Sequence, residues 1–527
     1  MADSKREIER KYEATAETRL PDLSRVAGVS AVAHRGVSEL DAVYYDTEDL
    51  RLAGGSVTLR RRTGGSDAGW HLKFPVSSGI RDELREPLSD TLPRSLAALL
   101  RSRVRGSGLV PVVRLRTTRD VHHLVDAEDA LLAEVAVDTV RAERLTGGSG
   151  TAAWAEIEVE LADDADPVFL DTVGRQLREA GIHPSAAPSK LARALAETAP
   201  ERAGTAPERA GTAPERAGTA PERSGSVRGR AGRSTAGDHV LAYIRRQTEA
   251  IVALDPAVRR DLPDSVHQMR VATRRLRSAL RTYRKILDRG VTDPVGAELK
   301  WLAAELGIDR DQEVLDARLR AGLGDLPGTL LLGPVRGRLR IWSAARRGGS
   351  RRRTVGVLDG KRYLALLESL DALLAAPPLL PAASRAPERA LPRAVLREYE
   401  RLATRVGHAL ELPPGHDRDL ALHDARKAAK RARYAAEAAG PALGKPAERF
   451  ARRMKTLQTL LGDHQDSVVA RDALRTLAVQ AHAAGEPAFT WGLLYGREEA
   501  AAAAGERELP EAWRQASRPR LRTALEG

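Results

Sequence analysis

The chain has 527 residues, 85 Lys and Arg against 72 Asp and Glu, and no cysteine. This length suggests about three structural units, each able to bury a core. The lack of cysteine excludes disulfides, Fe–S clusters, thiolate nucleophiles and Cys-ligated zinc, and it favours Mg²⁺ or Mn²⁺ as a bound metal. The amino terminus is charged, and no run of about 18 apolar residues follows. We therefore expect a soluble, cytoplasmic protein, and its net charge of +13 predicts an anionic partner.

The charge is divided unevenly along the chain. Residues 1–198 carry 27 basic and 32 acidic residues, a net of −5, whereas the remainder carries 58 and 40, a net of +18. The heptapeptide ERAGTAP occurs three times between these parts, starting at Glu201, Glu208 and Glu215. Each copy contains Pro and Gly and lacks a large apolar residue, so the period cannot be a coiled-coil heptad. We predict a flexible linker over 199–235.

Alternating polar and apolar residues dominate the first 198 residues. The runs include 7–12, 57–62, 71–74, 113–116, 134–138 and 156–161, and Gly-rich turns separate several of them. A period of two is typical of antiparallel strands, so this part is predicted to be mainly β.

Charges of like sign are grouped on individual predicted strands. Glu7 and Glu9 share one face, Glu156, Glu158 and Glu160 share another, and Arg60 and Arg62 share a third. For a single strand, a solvated face is the ordinary interpretation. Grouped like charges repel each other, however, unless a metal neutralises the carboxylates and an anion neutralises the arginines. If the sheet closes, these faces could line one cavity for a polyanion.

These residues resemble the CYTH domain family, the triphosphate tunnel metalloenzymes. The resemblance rests on Glu7-x-Glu9-x-Lys11, Tyr44-Tyr45-Asp46-Thr47, Leu59 to Arg62, His71-Leu72-Lys73, Arg81-x-Glu83, Glu134 to Asp138, Glu156-x-Glu158 and Ser189-Lys190. It spans nearly all of residues 1–198 and implies an eight-stranded antiparallel β tunnel that binds a triphosphate and a divalent metal.

The resemblance implies three sets of site residues. The expected substrate ligands are Lys11, Arg60, Arg62, Lys73, Arg81, Arg114, Arg119 and Lys190. The expected metal ligands are Glu7, Glu9, Asp138, Glu156 and Glu158. The expected catalytic residues are Glu7, Glu9, Lys11, Glu156 and Glu158. Two alignments stay open: the paired carboxylates could shift by two residues to include Glu160, and Arg114, Arg116 and Arg119 compete for one tunnel position.

The chemistry also follows from the residue types. Hydrolysis of a phosphoanhydride needs cations on the phosphate oxygens, a bridging metal and a positioned water. Arginine forks can provide the first of these and glutamates the second. The strands contain no Ser-His pair or comparable nucleophile, so we expect direct attack by water.

From Asp238 onward the sequence is predicted to be helical, and one helix carries a column of cations. His267, Arg270, Arg274, Arg277 and Arg281 fall within an arc of roughly 80° at 3.6 residues per turn. The pattern recurs 156 residues later, where His423, Arg426, Lys430, Arg431 and Arg433 match His267, Arg270, Arg274, Arg275 and Arg277. Lys300 and Lys455 match at an offset of 155. Stacked cations destabilise a helix unless an anion neutralises them, so two such columns favour an anion-binding duplication over two solvated faces.

These repeats resemble the CHAD domain, a conserved histidine α-helical module, over roughly residues 236–510. The resemblance implies a helical bundle from two repeats, about 236–345 and 390–505, that binds inorganic polyphosphate, followed by a tail at 511–527. The implied polyphosphate ligands are His267, Arg270, Arg274, Arg277, Arg281, Lys300, Arg310, His423, Arg426, Lys430, Arg431, Arg433 and Lys455. Gln465 replaces the equivalent of Arg310, and Glu437 replaces that of Arg281, so the second column is expected to bind more weakly.

The leading hypothesis is a metal-dependent inorganic triphosphatase with a tethered polyphosphate-binding module. Adenylyl cyclase of the class IV type and thiamine triphosphatase are alternatives within the same fold. A non-catalytic scaffold that binds polyphosphate granules or nucleic acid is an alternative of another class, although aromatic residues that could stack bases are scarce near the basic columns. We expect no membrane partner.

Overall fold

The computed structural model describes residues 3–163, 165–200, 234–347 and 350–526, with the side chains of all but 3, 308–310, 347 and 350. Most of the predicted linker, 201–233, therefore lies outside the described residues. The chain divides into two compact units, residues 1–223 and 224–527.

The first unit contains eight antiparallel strands that close into a barrel in the order β1-β5-β4-β3-β2-β6-β7-β8. The strands are β1 (Asp3–Ala14), β2 (Ala31–Asp46), β3 (Thr58–Thr63), β4 (Gly69–Ser77), β5 (Ile80–Pro87), β6 (Val110–Val125), β7 (Leu131–Arg144) and β8 (Thr151–Leu161). Four helices accompany them: α1 (Arg51–Gly54), α2 (Arg94–Val104), α3 (Val168–Glu179) and α4 (Lys190–Glu197). The predicted antiparallel β tunnel is confirmed.

Alternation along the strands separates a charged interior from an apolar exterior. Outward residues of β1, β7 and β8 pack on α3 through Leu170, Val173 and Leu177, and outward residues of β3–β5 pack on α2. Helix α4 instead covers the inner face at one end, where Leu191 and Ala194 pack against apolar residues. Because Lys190 is the first residue of α4, this packing fixes its position beside the charged interior.

The second unit is helical, as predicted. Its first group of helices is α5 (Ala236–Arg259), α6 (Ser265–Thr282), α7 (Arg289–Glu305), α8 (Gly307–Gly324), α9 (Val335–Arg347), α10 (Ser350–Asp359) and α11 (Lys361–Ala375). Its second group is α12 (Pro387–Glu411), α13 (His416–Leu443), α14 (Lys445–Ala483), α15 (Phe489–Ala516) and α16 (Pro519–Glu526). One large apolar core joins the two groups, and α6 packs against α13. None of the helices among the described residues is long and apolar enough to cross a bilayer.

The two copies of the duplication differ at one junction and at the carboxyl end. Gly307 begins α8 after a break at Leu306, whereas the equivalent Gly462 lies inside the continuous α14. Within the segment predicted as a tail, 511–527, α15 continues to Ala516 and α16 buries Leu525 in the core.

Candidate phosphate and metal sites

The barrel interior holds a small cavity surrounded by ionised side chains. Its volume is about 80 Å³, which is room for roughly three waters at about 30 Å³ each. The charged residues that line it are Glu7, Glu9, Lys11, Arg60, Arg62, Asp67, Lys73, Arg81, Arg85, Arg119, Glu158, Glu160 and Lys190. Several of these cations and carboxylates contact each other inside the barrel, as in the pairs of Lys73 with Glu7 and of Lys190 with Glu156.

Three carboxylates from β7 and β8 converge around one ammonium group. Ligand oxygens of Asp138, Glu156 and Glu158 lie within 4.8 Å of one another. The Lys190 Nζ is 2.9 Å from Asp138, 2.8 Å from Glu156 and 2.6 Å from Glu158. Burial opposes ionisation of Lys190, but these three carboxylates hold its pKa well above the usual value.

This carboxylate group fits a hard divalent cation. Glu156 Oε2 accepts a hydrogen bond from Trp154 Nε1 at 2.6 Å, whereas the buried Oε1 accepts none despite its ion pair with Lys190. Asp138 and Glu158 also accept hydrogen bonds from Arg119, at 2.6 Å for the shortest of each. Lys190 and Arg119 hold the pKa of Glu158 and Asp138 below their usual values against the effect of burial. Three carboxylates at this spacing are the oxygen donor set that Mg²⁺ and Mn²⁺ prefer.

Glu7 of β1 and Glu83 of β5 form a second carboxylate pair, on the two strands that follow β8 around the barrel. Lys73 Nζ lies 2.5 Å from Glu7 and 3.4 Å from Glu83, and Glu83 also accepts from His71 at 2.9 Å. Burial and the neighbouring Glu83 raise the pKa of Glu7 to about 7, although Lys73 opposes the shift. Burial and Arg60 lower the pKa of His71 to about 4, so His71 is neutral near neutrality.

Lys11 of β1 lies between carboxylates of β1 and β8. Its ammonium group contacts Glu158 and lies 3.1 Å from Glu9, and Glu9 is also 3.8 Å from Arg81. Arg81 donates to the carbonyl oxygen of Pro188 at 2.6 Å. Glu9 therefore lies beside Lys11 and Arg81, outside the group formed by Asp138, Glu156 and Glu158.

Arg60 and Arg62 supply two guanidinium groups to the inner face of β3. Arg60 is 3.3 Å from the Tyr44 hydroxyl and 3.9 Å from Glu83, and Arg62 contacts Asp67. The buried Nε of each arginine has no hydrogen-bond partner among the described residues. Burial and repulsion from Arg60 lower the pKa of Arg62 to about 9. An incoming anion would relieve both penalties.

The structure places the predicted substrate ligand Arg114 outside the cavity and shows where the alternatives of the two open alignments lie. Arg114 faces outward, where it binds Asp41 at 2.9 Å, and Arg116 lies near the same carboxylate. Arg119 takes the inner position because it is an odd number of residues from Arg114 on the same strand. Glu160 shares the inner face with Glu158 but pairs with Lys5 at 2.7 Å.

Among the residues that line or support the cavity, Glu83, Arg85 and Tyr44 were not predicted from the sequence. Glu83 is fully buried, Arg85 contacts it, and Tyr44 binds Arg60. The alternation Arg81-x-Glu83-x-Arg85 on β5 is the sequence signal for the first two, since these residues share one face.

The two cationic columns of the helical unit meet in one cluster. Arg270 and Arg274 of α6 and Arg426 and Lys430 of α13 lie close enough to repel each other electrostatically. Burial and the three arginines lower the pKa of Lys430 to about 7. Arg274 and Lys430 form no ion pair among the described residues. This cluster, named the central cluster below, combines cations from both copies.

The Leu-Gly pair of each repeat provides space for the outer arginines of this cluster. A Cβ at Gly307 would lie 3.1 Å from Nη2 of Arg270, and a Cβ at Gly462 would lie 3.3 Å from Nη2 of Arg426. Arg270 donates to Asp311 at 2.8 Å. Because glycine has no Cβ, each guanidinium can approach closely the helix of its own repeat that carries the glycine.

Beyond the central cluster, the first column continues into a groove. This groove has a volume of about 390 Å³ and is lined by Arg277, Arg281 and Lys300, together with Arg284 and Arg289, which the sequence analysis did not assign. Asp293 is an acidic residue in its lining, and it binds Arg289 at 2.8 Å.

The second column is interrupted by carboxylates. Arg431 lies 3.4 Å from Glu398, and Arg433 lies 3.3 Å from Glu437. Glu437 also accepts from Arg275 at 3.1 Å.

The remaining predicted ligands differ in their surroundings. Lys455 is exposed on α14. Burial and Lys427 lower the pKa of His423, although a hydrogen bond to Gln465 opposes the shift. His267 begins the first column on α6. The side chain of Arg310 lies outside the described residues.

Comparison with known proteins assigns each unit to a family. Residues 5–195 match the CYTH domain, and residues 242–475 match the CHAD domain. Two uncharacterized proteins from different strains of Mycobacterium tuberculosis are 36% identical over 510 residues, covering 93% of this chain and 92% of theirs.

Two solved structures are among the chains to which this one is similar. PptA from Streptomyces chartreusis is 23% identical, with a TM-score of 0.46, over 53% of this chain and 100% of its own. The CHAD domain from Ricinus communis is 24% identical, with a TM-score of 0.38, over 59% of this chain and 98% of its own. CYTH proteins are in general metal-dependent phosphoanhydride hydrolases or cyclases. The chain belongs to the CYTH family through its β-barrel unit and to the CHAD family through its helical unit.

Proposed function

We propose that the barrel hydrolyses inorganic triphosphate to diphosphate and phosphate with Mg²⁺ or Mn²⁺. The observation that supports this most directly is the placement of Asp138, Glu156 and Glu158 in one closed barrel with Arg60 and Arg62. A triphosphate with a divalent cation carries both the anion and the cation that these two groups require.

The aromatic content of the cavity favours a substrate without a ring. Tyr44 is the aromatic residue in the lining of the described cavity, and its hydroxyl binds Arg60. Adenine or thiazolium would ordinarily stack on an aromatic face. Class IV adenylyl cyclase and thiamine triphosphatase activities are therefore the weaker candidates.

The catalytic roles follow from which contacts a substrate must replace. A bound divalent metal would supply charge neutralisation and Lewis-acid activation of the phosphates, held by Asp138, Glu156 and Glu158. Lys190 and Arg119, which pair with the same carboxylates, would bind phosphate oxygens beside them. Arg60 and Arg62 bind the phosphates as bidentate forks.

The inner side chains of β1, β4 and β5 are suited to positioning the attacking water. Lys11, Lys73 and Arg81 bind phosphate oxygens once their carboxylate partners are released. Glu7 and Glu9 stay within reach of the same space, and they orient the water through hydrogen bonds. The pKa of Glu7, about 7, suits a group that accepts a proton near neutral pH.

A substrate panel tests this assignment. Purified protein is incubated with inorganic triphosphate, thiamine triphosphate or ATP, each with Mg²⁺ or Mn²⁺, and released phosphate is measured. We expect the highest kcat/KM with inorganic triphosphate and no turnover in EDTA. Faster turnover of ATP with release of diphosphate would instead identify a cyclase, and no turnover with any substrate would contradict an enzyme.

For the helical unit we propose binding of inorganic polyphosphate at the central cluster and the adjoining groove. The supporting observation is that Arg274 and Lys430 are drawn from both copies into one cluster without carboxylate partners among the described residues. Competition between long-chain polyphosphate and duplex DNA at equal salt tests it. We expect polyphosphate to displace DNA, and the reverse order would favour a nucleic-acid-binding scaffold.

A further inference from the structure

A second basic cleft lies on the helical unit, at the start of α14 and the corner between α15 and α16. Its volume is about 700 Å³, and five arginines line it: Arg449, Arg452, Arg453, Arg518 and Arg520. None of them belongs to the predicted columns. The two from the α15–α16 corner lie beyond residue 475, where the match to the CHAD domain ends. We call this feature the arginine cleft.

The arginine cleft has little internal neutralisation. Arg452 lies 3.9 Å from Glu448, and Arg453 donates to the neutral Gln515 at 3.2 Å. Within the described residues, Arg449, Arg518 and Arg520 form no ion pair. The cleft therefore concentrates several uncompensated positive charges around one concave space.

The position of these arginines on α14 adds a cost. Arg449, Arg452 and Arg453 are spaced at i, i+3 and i+4, a spacing at which like charges on a helix repel each other. A bound anion would offset this repulsion.

The arginine cleft is separated from the central cluster along and around α14. Gly462 and Asp466 of α14 contact Arg426 of the cluster, and both fall within roughly 20° of Lys455 around the helix. Arg453 falls roughly 160° from Lys455 and lies about 13 Å along the helix axis from Gly462, whereas Arg452 falls roughly 60° from Lys455. One short anion therefore cannot contact both sites, whereas a long chain can pass around α14.

We propose that the arginine cleft is a second binding site for inorganic polyphosphate, which holds a separate segment of the same long chain. The proposal rests on the function proposed for the helical unit. A narrow, flexible chain of phosphates can enter a concave cleft with guanidinium groups on several sides. A duplex presents its phosphates on a convex surface and suits this shape poorly. Two sites on one chain raise the effective concentration at the second, so affinity depends on chain length.

The test compares two triple variants that remove the same charge. The cleft variant is Arg449→Ser, Arg453→Ser and Arg520→Ser in the full-length protein. The control variant is Arg245→Ser, Arg475→Ser and Arg507→Ser, which removes three exposed arginines of the helical unit outside the cleft. Affinity for short-chain and long-chain inorganic polyphosphate is measured by fluorescence anisotropy over a range of salt concentrations. Circular dichroism verifies that both variants keep the wild-type helix content.

We expect the cleft variant to lose at least about tenfold in affinity for long chains relative to the control, because charged hydrogen bonds contribute about 1.5–3 kcal/mol each. Its slope of log affinity against log salt should fall by about 2, at roughly 0.7 per lost phosphate contact on a single strand. Short chains should bind with nearly unchanged affinity at the central cluster. Equal losses in both triple variants would overturn the second site, as would a cleft that holds duplex DNA more tightly than polyphosphate.

A third variant, Arg274→Ser with Lys430→Ser, separates this proposal from the one on which it rests. If it leaves polyphosphate binding unchanged while the cleft variant abolishes binding, the central cluster is refuted and the cleft stands. If it alone abolishes binding, the cleft is refuted.

Discussion

The two units use their cations in opposite ways. In the barrel, Lys190 and Arg119 each contact two or more carboxylates at 2.9 Å or less. In the helical unit, Arg274 and Lys430 form no ion pair among the described residues, and the pKa of Lys430 falls to about 7 because burial and neighbouring arginines disfavour its charge. In the barrel these cations are neutralised by ion pairs, whereas in the central cluster Arg274 and Lys430 have no such ion pair among the described residues.

This difference predicts different selectivity. An anion that enters the barrel draws arginines and lysines away from their carboxylate partners. It binds well only if another cation then neutralises those carboxylates. The barrel thus favours a metal–triphosphate over a bare anion. The central cluster gains from any dense anion, and its affinity should fall steeply with salt because the gain comes from charge neutralisation and counterion release.

The largest expected effect comes from removing a carboxylate of the barrel. Glu158→Gln keeps the shape but removes one charge from the group that also contains Asp138 and Glu156. We expect metal-dependent phosphate release to fall by at least about 100-fold, as when a group that stabilises transition-state charge is removed. The control is Glu143→Gln on the exposed side of β7. Turnover of Glu158→Gln above one tenth of wild type would contradict the proposal that these carboxylates, which neutralise the barrel cations, also hold the metal that turnover requires.

A smaller effect is expected from a cation of the central cluster. Arg274→Ser removes a partly buried guanidinium that lies next to Lys430. We expect affinity for polyphosphate to fall about tenfold, within the range for a charged hydrogen bond, and the salt slope to fall by about 0.7. Arg245→Ser serves as the control, since Arg245 is exposed on α5. Loss of affinity with an unchanged salt slope would contradict a direct phosphate contact.

The absence of compensation in the central cluster also has a cost to stability. The pKa of Lys430 is about 7 in the folded protein against an ordinary 10.5, because burial and Arg274, Arg426 and Arg270 outweigh Asp466. The unfolded chain therefore binds more protons between these values, so the contribution of Lys430 to stability increases as pH rises from about 7 to 10.5. Below pH 7 the penalty is complete.

Lys430→Met should therefore stabilise the ligand-free protein in acid. We expect Tm at about pH 6 to rise by a few degrees and the gain to shrink toward pH 10. Polyphosphate should reverse the order, because bound phosphates raise the pKa of Lys430 and stabilise wild type more than the variant. A stabilisation that is independent of pH would point to better packing by Met and would contradict an electrostatic penalty.

Local sequence patterns predict which residues share one face of a strand or helix, but they do not predict which elements meet. Alternation placed Arg60 and Arg62 on one inner face, and helical periodicity placed Arg270 and Arg274 on one stripe. Alternation puts Arg114 and Arg119 on opposite faces of β6 but cannot say which face is inside, so both were predicted as ligands. The closed barrel, in which Arg114 meets Asp41 outside, identifies Arg119 as the inner residue.

Partners from other elements were also invisible to local patterns. Glu83 of β5 was quoted in a motif but given no role, because its contacts with Lys73 and His71 depend on strand pairing. Glu398 reaches Arg431 from a different helix. The arginine cleft combines α14 with the α15–α16 corner, part of which was expected to be a tail.

The smallest expected effect would make the second copy more like the first. Glu437 occupies the position equivalent to Arg281, pairs with Arg433 at 3.3 Å and accepts from Arg275 at 3.1 Å. Glu437→Gln removes the negative charge and releases both arginines toward an anion. Partly exposed pairs contribute about 0.2–1 kcal/mol, so affinity for polyphosphate should rise about two- to fivefold. Glu499→Gln, at an exposed position of α15, removes the same charge as a control. Equal gains in both variants would show that only net charge matters, whereas a gain confined to Glu437→Gln would show that this carboxylate limits the second column by neutralising its cations.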